Sequence, residues 1–297
     1  GKESLLEARA QRLRPHLDDK VITAWNGLMI SAFARAAAVL GEPRYLTAAV
    51  RAAEFVVNEL YDEKNGTLLR RFRDGEARHP AHLEDYAFFI QGLLDLYEAG
   101  FDTRWLELAV SLSEVQNQLF WDEVNSGFYD TSGEDPSIIL RTREIHDGAE
   151  PSGGSVAAGN LLRLAWILDR PEWRRLAEAT VGSVSGVLQT SPISMPQMLV
   201  TVAMALDPPR QIVIAGDPGA EDTLAMLEVV AKRFLPGKVV ILNEGRDGNL
   251  PGEAAEFYSS LDRQEGKATA YVCENYSCQL PTNDPATLAS ILDDDSD

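Results

Sequence analysis

The sequence predicts a mainly α protein: a toroid of helical hairpins, cut at its N-terminal side, over residues 1–207, followed by a small α/β segment with a short parallel sheet over residues 208–297. Three observations predict it. Apolar, small-residue helices alternate with amphipathic ones at a period of about 65 residues. A strand, helix, strand succession begins after Asp207-Pro208-Pro209. Between them, His82-Leu83-Glu84-Asp85-Tyr86 opens a run to Tyr97 that is apolar on nearly every side, and a helix of that kind must be buried all round.

Taken in order, residues from about 3 to 14 read as an amphipathic helix with no apolar partner before it. Asn26-Gly27-Leu28, Gln91-Gly92-Leu93 and Gly159-Asn160-Leu161 then each sit inside an apolar helix whose small residues let neighbours crowd close. Tyr45-Leu46, Trp105-Leu106 and Trp173 open the amphipathic partners; Trp105, Leu108, Ala109, Leu112, Val115 and Leu119 share one face at helical spacing. An inner ring of the first kind and an outer ring of the second satisfies both. Long connections, 61 to 81 and 120 to 152, run from an outer helix to the next inner one. A last inner helix runs from Met195-Pro196-Gln197 to Leu206 without an outer partner, so the polypeptide reads as part of a longer chain.

Beyond Asp207, Gln211–Ala215 and Lys238–Leu242 read as buried parallel strands joined by a helix over 219–234. Ala268–Cys273 supplies a third strand, Asn243–Gly266 a long surface loop, and Asp284-Pro285 caps a last helix. Gly216-Asp217-Pro218-Gly219 reads as a plain strand-to-helix turn, since it lacks the G-x-G-x-x-G spacing. The final Asp-Asp-Asp-Ser-Asp reads as disordered.

Of 297 residues, 45% are hydrophobic and 25% charged, ordinary for a globular protein. The net charge of -19 repels phosphodiester backbones and anionic lipid, so neither nucleic acid nor a membrane is an expected partner. No apolar run reaches spanning length, and Gly1-Lys2-Glu3-Ser4 opens no signal peptide. Cys273 and Cys278 are spaced C-x4-C with no companion pair for a metal; they read as a packed strand cysteine and a loop thiol, suited to a reducing cytoplasm. No metal cluster or cofactor motif is recognised.

Four motifs in one order carry a family resemblance: His16-Leu17-Asp18-Asp19-Lys20 with Thr23-Ala24-Trp25-Asn26-Gly27-Leu28, then His82-Leu83-Glu84-Asp85-Tyr86-Ala87, then Glu150-Pro151-Ser152-Gly153-Gly154-Ser155, and Tyr271-Val272-Cys273 with Cys278. Over essentially its whole length the chain resembles the C-terminal half of the thioredoxin-domain-containing proteins related to spermatogenesis-associated protein 20. The resemblance implies an (α/α)6 toroid like those of six-hairpin glycosidases and N-acylglucosamine 2-epimerases. It also implies a thioredoxin-like N-terminal domain, not included in this sequence, as a partner in the parent chain.

Toroids of this shape hold substrate where loops lead into the inner helices. That funnel would gather Asp18, Asp19, Trp25 and Asn26 from one repeat, His82, Glu84, Asp85 and Tyr86 from the next, and Glu150 with Ser152 from the third. Carboxylates, an imidazole and aromatic faces around one hollow suit a small-molecule sugar: rings stack on aromatics while acids bond hydroxyls and move protons. Asp85 is the expected general acid or base, opposite Asp18 or Asp19, with His82 as a further proton carrier; Trp25, Asn26, Glu84, Tyr86, Glu150 and Ser152 are expected to contact substrate. Glu84 and Asp85 point about 100° apart on a helix, so one at most faces the axis squarely. A glycosidase needs carboxyls about 5–9.5 Å apart. The plainer reading of the two acids is that they complement a helix dipole. Only His16, His79, His82 and His146 are available, and none lies in an epimerase motif. The alternative function is a catalytically inactive client-recognition or scaffold domain beside a thioredoxin-like redox protein.

Overall fold

The computed structural model describes residues 1–207, 209–245, 254–274 and 277–293. The final residues expected to be disordered lie almost wholly outside that range, as does the middle of the expected 243–266 loop. The protein is mainly α, with helical hairpins in two layers. The inner helices are α2 (Thr23–Leu40), α4 (Leu83–Gly100), α6 (Gly153–Leu168) and α9 (Pro196–Leu206), each packed on the next. Outside them lie α3 (Pro43–Leu60), α5 (Thr103–Phe120) and α7 (Pro171–Ser183), each against the inner helix before it. A short α8 (Ser185–Thr190) and a 3-10 turn at Pro192–Ser194 lead into α9. The leading helix, α1 (Lys2–Ala10), is shorter than expected and buries no residue.

Side-chain size explains the closeness of the inner layer. On α2, a Cβ added at Gly27 would lie 2.5 Å from the Phe88 and Phe89 backbone, and one at Gly92 would lie 2.8 Å from the Gly27 carbonyl oxygen. Only glycines let α2 and α4 meet backbone to backbone. Between them and α5 and α6, Tyr86, Phe88, Phe89, Ile90, Leu93 and Leu94 are fully buried, as the all-apolar run requires. Asn160 crosses from α6 to donate to the Ala87 carbonyl at 2.7 Å, satisfying a buried amide.

The first long connection is not a loop. It holds β2 (Tyr61–Asp62), β3 (Thr67–Arg73) and β4 (Glu76–Pro80), and with β1 (Val21–Ile22) they form an antiparallel sheet. Asp74 and Gly75 turn β3 into β4 with φ of 55° and 75°, the positive values of a two-residue hairpin. This sheet lies beside the entry to α2, since Val21 and Ile22 pair with Phe72 and Arg71.

In the α/β segment, β5 (Arg210–Ala215), α10 (Glu221–Ala231) and β6 (Val239–Asn243) form the expected parallel unit. The sheet as a whole is mixed: β7 (Thr269–Glu274) runs antiparallel to β5, and β8 (Ser277–Cys278) antiparallel to β7. Side chains alternate as a twice-covered sheet demands. Ile212 and Ile214 face α10 and α12 (Pro285–Asp293), while Val213 and Ala215 face Tyr258 on α11 (Ala255–Ser259). That helix corrects the expected 243–266 surface loop, because buried Tyr258 pins it down. Gln211 Nε2 donates to the Trp166 carbonyl at 2.9 Å, joining β5 to the end of α6.

The cysteine expectation is overturned. Cys273 and Cys278 form a disulfide, because β8 doubles back and sets Cys278 directly across the ladder from Cys273. The two thiols are therefore not a separate strand cysteine and loop thiol. Among the described residues no helix is long and apolar enough to cross a membrane.

Candidate functional site

The N-terminal ends of α2, α4 and α6 come together, and β3 lies beside them. Asp85, in the first turn of α4, is fully buried. Its Oδ1 accepts the Ala24 N–H at 3.0 Å; its Oδ2 accepts the His82 N–H at 2.9 Å and Arg70 Nη1 at 3.0 Å. One carboxylate thus caps two helices, supplying acceptors that their first turns lack. Burial pushes the Asp85 carboxyl up to about 6, against the pull of Arg70 and the two backbone N–H groups.

Arg70 is the residue the sequence reading missed. From β3 it reaches Asp85 with one terminal nitrogen and Glu84 Oε1, at 2.6 Å, with the other. Glu84 and Arg70 each keep about a third of their side chain exposed (32%). Neighbouring acids that diverge on the helix are gathered by one fork-shaped cation. The signal was in the sequence: Asp74-Gly75 between Thr67–Arg73 and Glu76–Pro80 is a hairpin turn, and it would have placed Arg70 on a strand.

Across α4, Trp25 on α2 is 58% exposed, yet its Nε1 donates to Glu150 Oε2 at 3.1 Å. Glu150 lies just before α6, so this bond spans the three helix ends. His82, half-buried, precedes α4; burial and then the Arg70 charge lower its pKa, leaving a neutral imidazole near pH 7. Asn26, also half-buried, donates to the Ile22 carbonyl at 2.9 Å.

Other expected site residues are placed differently. Tyr86 is buried, accepts the Leu68 N–H on its hydroxyl at 2.9 Å and packs edge-on against Phe120. Ser152 is buried as the cap of α6, taking the Ser155 N–H at 3.2 Å. Asp18 and Asp19 lie on the exposed strap before β1, not on an inner helix. Asp18 pairs with Lys20 at 3.2 Å and Asp19 with Arg73 at 2.8 Å, so the structure gives Asp85 the partner Arg70 where either of them was expected. A hydrogen bond from Lys20 lowers the Asp18 pKa.

Among the described residues, clefts lie elsewhere, including one of about 650 Å³ beside Val57, Tyr61 and Lys64 and one of about 410 Å³ beside Asn243, Leu261 and Arg263. Among the described residues no group of three His, Cys, Asp or Glu is placed to hold a metal ion.

No family model matches the chain. Human spermatogenesis-associated protein 20 is 38% identical over 301 residues, covering 98% of this chain and 38% of that protein. The chain is a homologue of spermatogenesis-associated protein 20. An uncharacterised Caenorhabditis elegans protein is 33% identical over 291 residues, 95% of this chain and 39% of its own length. The chain thus spans about two-fifths of the length of each of these two proteins. Among solved structures, a sugar epimerase from a ruminal bacterium is similar at a TM-score of 0.48 and 16% identity, over 71% of this chain and 59% of that one. Cellobiose 2-epimerase from Bacillus thermoamylovorans is similar at 0.47 and 16%, over 57% and 45%. At these scores the likeness brings no chemistry with it.

Proposed function

We propose that the chain binds a carbohydrate on the rim formed by the first turns of α2, α4 and α6, and processes it by carboxylate and imidazole proton transfer. The observation that carries this reading is Trp25: a large indole 58% exposed, held in place by Glu150 from an element 125 residues away. A fixed, solvent-facing aromatic plate beside half-used carboxylates is the arrangement that stacks a sugar ring and bonds its hydroxyls.

In this reading Glu84 is the acid or base that meets the ligand, because it is exposed where Asp85 is sealed. Neutral His82 serves as the second proton carrier, and Asn26 and Glu150 as hydroxyl partners. Asp85 and Arg70 act by position: they lock the two helix ends and aim Glu84. Calorimetric titration with a mono- and disaccharide panel tests the proposal. A sugar that binds with a millimolar or tighter Kd, and at least ten-fold more weakly to Trp25→Ala, supports it. No binding by any sugar, or binding untouched by Trp25→Ala, refutes it.

A further inference from the structure

Resting on that reading, we infer that the rim prefers a sugar carrying a protonated amino group over its neutral parent, and turns away the corresponding acid. The hydrogen-bond bookkeeping of the rim points this way. Trp25 has one polar side-chain atom, Nε1, and it is already given to Glu150. Glu150 uses Oε2 for that bond, and Glu84 uses Oε1 for Arg70. Each carboxylate therefore keeps one oxygen without a partner among the described residues. Glu150 is bonded to the aromatic plate itself, and Glu84 is tied to the residue next to that plate through Arg70, Asp85 and the Ala24 N–H. The two remaining oxygens are pure acceptors and want a ligand that donates.

Charge points the same way. Arg70 is the single cation of the group, and each of its terminal nitrogens is bonded to a carboxylate. Against it stand Glu84, Asp85 and Glu150, while His82 is neutral near pH 7. Asp130 and His79 are the next titratable groups around His82. The nearby Lys20 and Arg73 are paired with Asp18 and Asp19; Arg71, across the ladder from Ile22, has no ion pair among the described residues, but strand alternation sets it on the opposite face of β3 from Arg70. An ammonium gains from this field, a hydroxyl is indifferent to it, and a carboxylate is repelled. Exposed charge pairs contribute roughly 0.2–1 kcal/mol each, so two half-free carboxylates favour the amine by about two- to thirty-fold, with three- to ten-fold in the middle of that range.

The test is calorimetric titration of the chain with glucosamine, glucose and glucuronate at pH 7 and low ionic strength. Glucosamine binding three- to ten-fold more tightly than glucose, with glucuronate at least three-fold weaker than glucose, is the expected order. The amine-to-neutral ratio should shrink at high salt, and should fall toward one in Glu84→Gln and in Glu150→Gln. The salt series uses the unsubstituted chain and does not depend on either variant folding. Glucuronate binding as tightly as glucose, or glucosamine no tighter than glucose at low salt, overturns the inference while leaving the carbohydrate reading intact. If none of the three binds while another sugar of the mono- and disaccharide panel does, this inference alone fails; if no sugar of the panel binds, the carbohydrate reading fails and this inference with it.

Discussion

Asp85 accepts the N–H of Ala24 at 3.0 Å across 61 positions of sequence, so the starts of α2 and α4 share one acceptor. Asparagine at this place keeps the shape but turns an amide donor toward N–H groups and a guanidinium. Asp85→Asn should therefore cost about 2–4 kcal/mol at pH 7, measured by urea denaturation.

The same carboxyl sets a pH dependence. Its folded pKa of about 6 lies above the usual 3.8, so between those values the folded chain holds a proton that the unfolded chain has lost. Stability contributed by this group is therefore full below about pH 4 and declines as pH rises toward 6, by about 3 kcal/mol in all. His82 acts oppositely: its lowered pKa makes stability fall as pH drops below about 6.5. Comparing unfolding curves of the unsubstituted chain with those of Asp85→Asn across pH 4–6 isolates the first effect. An unchanged slope would contradict the assignment.

Gly27→Ala should be among the most damaging single-methyl changes, because the new Cβ meets backbone at 2.5 Å and nothing flexible can give way. A loss of about 3 kcal/mol, or no folded protein, is expected. In contrast, Gly186 on α8 has open space, and Gly186→Ala should stabilise by about 0.5–1 kcal/mol. Thermal unfolding of the two variants reads the difference directly.

At the far end of the inner helices, Arg163 bridges Asp95 at 2.8 Å and Glu98 at 3.2 Å, with only 13% of its side chain exposed. Burial raises the Glu98 pKa. Arg163→Met leaves both acids without their main countercharge and should cost about 3–5 kcal/mol. Adding Glu98→Gln should recover part of that loss, as a double-mutant cycle would report.

Reducing the Cys273–Cys278 bond should release β8 and destabilise the α/β segment by about 2 kcal/mol, as a short closed loop implies. Amide exchange should quicken near Cys278 and leave α4 untouched. Protection lost equally in both places would contradict this.

Much of the architecture was legible because burial writes itself as periodicity. The inner run Leu83–Tyr97 and the Trp105 face fell where their spacing put them. The β5, α10, β6 unit did too. The site was legible only as a neighbourhood. Trp25 is bonded to Glu150, and Arg70 holds Glu84 and Asp85 together, but sequence order gives no exposure, and Asp85 is sealed where Glu84 is open. Arg70 was hidden because a run of arginines and leucines looks like loop until Asp74-Gly75 is taken as a turn. The disulfide was hidden because a C-x4-C spacing does not say that two strands will turn back on each other.

The mixed sheet has a further consequence. On one side β6 packs against α4 and α6, and on the other β8 is two residues long and stapled to its neighbour. Among the described residues these two margins are covered or short, so a stray extended polypeptide finds little of this sheet to zip onto.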